Sequence, residues 1–267
     1  MTGLSARNLK YMQKFAQAWP DVQIVQQLAA QIPWFHNCVI LDKVDGQQRR
    51  EFYVRQSSVH RWSRNVLVHQ IETKLHLRQG QIQTNFDRTL PPGDSDLARE
   101  ILKDPYIFDF LSLGPEHTER EIEAAMVERI RDTLLELGKG FAFVGNQYHL
   151  EVGDQDYYID LLFYHLHLRR FVVIELKAGE FKPEYAGKLN FYLSAVDDMV
   201  RHGQDEQTIG LILCKSKNKI TVEYALRDIH KPLGVAAYKL LRELPDALQD
   251  ELPNADEIAR KLNLSAD

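Results

Sequence analysis

Apolar residues change their period partway along the chain. In the first 85 residues they recur at helical spacing. Leu4, Leu9, Met12 and Phe15 form one such series, and Val66, Ile71 and Leu75 form another within Ser63 to Leu77, a run without glycine or proline. The pattern predicts a mainly helical N-terminal domain over residues 1–90. Thr89-Leu90-Pro91-Pro92-Gly93-Asp94 is the strongest turn punctuation in the sequence. Residues 91–117 are therefore read as a linker and lead-in to a second unit.

That unit, residues 118–245, has the sharper pattern. Thr118 followed by Glu121 is a capping box, and the helix it starts is expected to run to about Leu137, where Gly138 can end it. Strand-like runs follow at Phe141 to Glu151, Tyr157 to Leu166 and Arg170 to Lys177. A helix over Pro183 to Met199 comes next, then a buried strand over Thr208 to Lys215 and a short strand near Val235 to Tyr238. The order predicts an α/β fold, a mixed sheet flanked by helices. Residues 246–267 read as an acidic helical tail.

Length and composition narrow the class. A chain of 267 residues buries roughly three quarters of its unfolded surface, so a disulfide or structural metal is not needed for stability. Its two cysteines, Cys38 and Cys214, are too few for a disulfide framework or a four-cysteine zinc site, and a reducing cytoplasm is the simplest location. Val22 to Leu41 lacks Asp, Glu, Lys and Arg. Its glutamines, His36, Asn37 and Pro33 argue against a membrane span, and no signal-peptide pattern precedes it.

Net charge is −5, which argues against bulk coating of nucleic acid, but the distribution is uneven. Gly46 to Arg78 holds seven Lys and Arg against two acids, whereas Leu241 to Asp267 holds three bases against seven acids. Arg49, Arg50, Arg61 and Arg64 are thus candidate polyanion contacts, although such runs are commonly solvated faces.

Strand alternation brings out the chemistry. Asp160 shares a face with Tyr158, Leu162 and Tyr164, and Glu175 and Lys177 share one with Val173. If the two runs are antiparallel neighbours, the carboxylates of Asp160 and Glu175 converge. Such a pair repels unless a divalent cation lies between, and hard oxygen donors suit Mg²⁺ or Mn²⁺. A nearby Lys177 can orient or help deprotonate an attacking water or stabilise charge on phosphorus. The trio therefore reads as a phosphodiester hydrolysis site.

Glu123 lies on the apolar stripe of Val127, Ile130, Leu134 and Leu137 and can point inward, whereas Glu121, Glu128, Asp132 and Glu136 are expected to be solvated. The competing reading is an ordinary ion pair of Glu175 or Asp160 with Lys177 on a half-exposed sheet. Glu-x-Lys also occurs at Glu72 and Glu180, but only the run at Glu175 ends an unbroken β-branched stretch.

Weaker signals accompany these. His165 and His167 are expected to face solvent together, Gly138-Lys139-Gly140 is a helix stop, and Cys214 is a core residue. Gln147 either touches a phosphate or base or bonds within the sheet.

Several separate runs, in order, carry a family resemblance. They are Lys103-Asp104-Pro105-Tyr106, Leu135 to Val144, Ile159-Asp160-Leu161-Leu162-Phe163-Tyr164-His165, Ile174-Glu175-Leu176-Lys177, Phe181-Lys182-Pro183-Glu184 and Gly210 to Cys214. With Gly3 to Leu9 and Pro33 to Asn37, they resemble the YhcG-type nucleases of the PD-(D/E)XK superfamily over residues 3 to 245. The resemblance implies a restriction-endonuclease-like mixed sheet preceded by a helical, DNA-binding N-terminal domain. It also implies catalytic and metal-binding roles for Asp160 and Glu175, a catalytic Lys177, a metal-ligating backbone carbonyl at Leu176 and, by a looser match, a catalytic and metal-binding Glu123. Relatives commonly begin earlier and carry glutamine after the glycine corresponding to Gly187, where this chain has Lys188. Lys188 is counted with Gln147 among the candidate nucleic-acid contacts.

The expected function is a cytoplasmic, Mg²⁺-dependent deoxyribonuclease, with Mn²⁺ as a substitute and foreign DNA as its target. The alternative is a catalytically silent nucleic-acid-binding or scaffolding protein on the same fold. DNA is the expected partner, a homodimer would suit double-strand cutting, and no membrane partner is expected.

Overall fold

Ser5 and Ser63 open helices by accepting the N–H groups of Asn8 and Val66, both at 3.3 Å. A computed structural model describes residues 5–20, 29–114 and 116–240. Its first helices are α1 (Ala6–Ala18), α2 (Trp34–Lys43), α3 (Gln47–His60), α4 (Arg64–Glu72) and α5 (Leu75–Arg78). They enclose a core of their own that includes Trp19, Ile40, Tyr53, Val54 and Leu67. Asn37, in the uncharged stretch, is buried, and its amide donates to the Ala29 carbonyl at 3.0 Å. Among the described residues no helix is long and apolar enough to cross a membrane.

The remaining described residues build a seven-stranded sheet with its flanking helices. Its strands are β1 (Gln83–Thr84), β2 (Tyr106–Ile107), β3 (Phe141–Glu151), β4 (Asp156–His165), β5 (Arg170–Glu180), β6 (Ile209–Ser216) and β7 (Leu233–Lys239). The order is β1-β7-β6-β5-β4-β3, with β2 also on β7. β3, β4 and β5 run antiparallel to one another, whereas β5, β6 and β7 are parallel, so the sheet is mixed. One face buries Val172, Ile174 and Leu176 under α6 (Phe86–Thr89), α7 (Pro92–Ile101), α8 (Glu119–Glu128) and α9 (Ile130–Leu137). The other buries Val173, Ile212 and Val235 under α10 (Pro183–Met199) and α11 (Lys219–Leu226).

Three local expectations are modified. Pro91 and Pro92 open α7, where the missing proline N–H is harmless, instead of marking a linker. Ala98, Leu102, Tyr106, Phe108 and Leu111 accordingly join the sheet core, and β1, from the segment read as helical domain, pairs with β7. The Thr118 helix has its capping box but breaks at Arg129, where the Thr133 hydroxyl donates to the Met126 carbonyl at 3.0 Å. Finally, α11 lies in a stretch without a predicted element, and its signal is the Asn218 side chain, which accepts from Ile220 and Thr221 N–H. The acidic tail at 246–267 lies outside the described residues.

Candidate active site

The ladder between β4 and β5 ends at Leu161↔Ile174. One position further out stand Asp160 and Glu175, so the two acids flank a fork where the strands part. The divergence frees the Leu176 N–H, which donates to Asp160 Oδ2 at 2.8 Å. Burial, followed by the negative charge of Glu175, pushes the Asp160 carboxyl up to about 6. Glu175 is completely buried, and its Oε2 has no hydrogen-bond partner. The two carboxylates are near enough for the charge of one to act on the other.

Two ammoniums meet the other oxygen of Glu175. Lys177 Nζ reaches Oε1 at 3.0 Å and also contacts Glu119 Oε2 at 3.0 Å and the Leu176 carbonyl at 2.7 Å. Burial alone would lower the Lys177 pKa, but Glu175 and Glu119 outweigh it and hold the group above its ordinary value. Lys188, from α10, places Nζ 2.5 Å from the same Oε1. Its burial acts downward as well, and the hydrogen bond and charge of Glu175 raise it to about 12. The ion pair weighed as the competing reading therefore exists, yet it is buried and shared.

Donor chemistry here suits a hard divalent cation: a buried carboxylate oxygen without a partner, a second carboxylate with a raised pKa, and an adjacent backbone carbonyl at Leu176. Among the described residues no group of three or more His, Cys, Asp or Glu gathers as a metal-ligand set. Two carboxylates and a carbonyl would leave the remaining positions to water and substrate.

Glu123 is buried as expected, but its carboxylate is directed to β3, accepting from Asn146 Nδ2 at 2.9 Å and Gln147 Nε2 at 2.5 Å. Gln147 has φ +43° and lies between the pairs Asn146↔Leu161 and Tyr148↔Ile159, across from Asp160. Its side chain thus bonds to helix α8 and not within the sheet. Glu119, four residues before Glu123 on the same helix face, is the acid that meets Lys177; that spacing was the available signal for it.

Elsewhere the assignments divide. Arg49, Arg61 and Arg64 are exposed, whereas Arg50 is half-buried with Nε on the Val44 carbonyl at 2.9 Å. Glu136, expected to be solvated, is buried against Arg78 at 2.6 Å and Lys103 at 3.5 Å. His165 is buried and His167 exposed, because β4 ends at His165. Cys214 is a core residue, and burial raises its thiol to about 12.

A mixed sheet clothed by helices on both faces, with Asp and Glu-x-Lys brought together where two strands part, defines a restriction-endonuclease-like fold. The chain belongs to the family described as YhcG PDDEXK nuclease domain, whose model matches residues 99–253; the DUF1016 N-terminal domain matches residues 1–78. It is 31% identical over 247 residues to "Putative nuclease YhcG" of Escherichia coli (strain K12), covering 91% of this chain and 64% of that protein's length. Among solved structures, a repair endonuclease from Pyrococcus abyssi has a TM-score of 0.31 at 15% identity over 49% of this chain and 50% of that one. An EndoMS–dsDNA complex has a TM-score of 0.32 at 15% identity over 50% of this chain and 49% of that one.

Proposed function

We propose that this chain is a divalent-metal-dependent deoxyribonuclease whose centre is the fork of β4 and β5. The observation that carries the reading is the Asp160–Glu175 pair, a half-buried carboxylate with its pKa raised to about 6 beside a fully buried one that has an oxygen without a partner. Asp160, Glu175 and the Leu176 carbonyl would hold Mg²⁺ or Mn²⁺. Bound there, the cation would supply Lewis-acid activation of water and offset charge on the leaving oxygen.

The protein's own groups have distinct tasks in this reading. Lys177 stays charged between Glu175 and Glu119, so it orients the nucleophile and stabilises negative charge instead of removing a proton. Glu123 positions Gln147 opposite Asp160. Arg49, Arg61 and Arg64 offer a cationic surface to the phosphodiester backbone. Free, buried cysteines accord with a reducing cytoplasm. Foreign DNA is the proposed source of substrate, and a homodimer the arrangement for double-strand cutting.

Catalytic silence with retained nucleic-acid binding is the second reading, favoured by one observation: Lys177 and Lys188 already neutralise Glu175. Purified wild-type, Asp160→Ala and Glu175→Ala proteins incubated with supercoiled plasmid and single-stranded DNA in Mg²⁺, Mn²⁺ or EDTA separate the two. Cleavage that requires metal, Asp160 and Glu175 is expected. Binding without cleavage would establish the silent reading, and metal-dependent cleavage by either variant would overturn the site.

A further inference from the structure

The two lysines on Glu175 are not equivalent. Lys177 has 7% of its side chain exposed and is tied to Glu119 and the Leu176 carbonyl as well as Glu175. The side chain of Lys188 is 47% exposed, and Nζ sits 5.2 Å from the centre of the Tyr192 ring one helical turn on. Lys188 contributes no backbone to the strand fork and reaches it only through a flexible stem from α10. A dication held by Asp160 and Glu175 would repel both ammoniums. The partly exposed one can yield, because bulk water rehydrates it as it leaves.

We propose that Lys188 is a displaceable counter-ion of Glu175. In the metal-free protein it neutralises the carboxylate pair, and it competes with the divalent cation for Glu175. Once displaced, it presents its ammonium to the phosphodiester backbone of the substrate. This rests on the metal-nuclease reading above. It makes metal loading and substrate grip reciprocal: binding of the cation releases a positive charge at the mouth of the site, where a polyanion can use it.

Mn²⁺ titration calorimetry on the full chain tests the competition without any turnover. Lys188→Gln should bind Mn²⁺ about tenfold more tightly than wild type, Lys188→Arg should stay within about twofold, and Glu175→Ala should lose binding. DNA affinity measured against salt, in Ca²⁺ and in EDTA, tests the hand-over. Lys188→Gln should lose about one phosphate contact from the salt slope in Ca²⁺ and none in EDTA. Tight Mn²⁺ binding that depends on Glu175 but is unchanged in Lys188→Gln would overturn the competition and leave the metal site standing. A loss of slope that is equal with and without cation, or absent in both, would overturn the hand-over. Equal Mn²⁺ binding by wild type and Glu175→Ala would overturn the metal site and the inference with it.

Discussion

Glu136→Gln should be among the most damaging single substitutions in this protein, although it removes no apolar contact. The Glu136 carboxylate accepts from Arg78 at 2.6 Å and from the Ile107 N–H at 2.8 Å, with Lys103 Nζ at 3.5 Å and His69 Nε2 at 3.9 Å. Its side chain is 0% exposed, so these cations have no water to replace it. Neutralising it leaves Arg78 and Lys103 buried beside each other without their anion, which costs about 3–5 kcal/mol.

Titration provides a second estimate. Burial would raise the Glu136 carboxyl, but Lys103, His69 and Arg78 outweigh it and hold it down at about 2, against an ordinary 4.5. That difference corresponds to about 3 kcal/mol. Lys103 pulls the other way, since burial lowers its own pKa, which favours the lower end. A loss of about 3 kcal/mol is a large part of the ~5–15 kcal/mol of a typical native protein and should lower the melting temperature by roughly 6–12 °C.

Thermal and urea unfolding followed by far-ultraviolet circular dichroism would measure it. A folded pKa below the unfolded one gives stability that is fully present above about pH 4.5 and lost as pH falls toward about 2. The gap between wild type and Glu136→Gln should therefore close through that window. A variant that melts within about 2 °C of wild type at neutral pH would refute the reasoning.

Two further outcomes follow from the same principles. Asp160→Asn should stabilise the metal-free protein: the raised pKa means that ionised Asp160 is a liability once pH passes about 6, and relief of about 1–2 kcal/mol is expected after allowing for coupling to Glu175. A lower urea midpoint than wild type in EDTA near neutral pH would contradict this. Gly140→Ala should destabilise by about 1–3 kcal/mol, because φ is +103° and an added Cβ would stand 2.7 Å from His165 Nε2; an unchanged melting temperature would show that neither constraint acts.

Much of the nuclease core is legible in sequence because its signals are local. Phe141 to Glu151 coincides with β3, Pro183 to Met199 with α10, and the Thr118 capping box forms as predicted. Period-two alternation, together with a short turn, also suffices to bring Asp160 toward Glu175, since antiparallel neighbours joined by a tight connection have little choice of register. What alternation leaves open is the partner of a charged group. Lys188 and Glu119 lie 13 and 56 residues from Glu175, and nothing in helical periodicity separates a glutamate that salt-bridges inside a core, as Glu136 does, from one bathed in solvent.

The sequence by itself determined the five longer strands and several of the helices, the two carboxylates and the lysine beside them, because each depends on residues within a few positions of one another. Only the tertiary structure decided that residues 82–111 complete the sheet's core, that Glu136 joins the first helices to it through Arg78, and that Lys188 shares Glu175 with Lys177. Those outcomes depend on which faces meet and how much water remains between them, and that follows from packing across the whole chain.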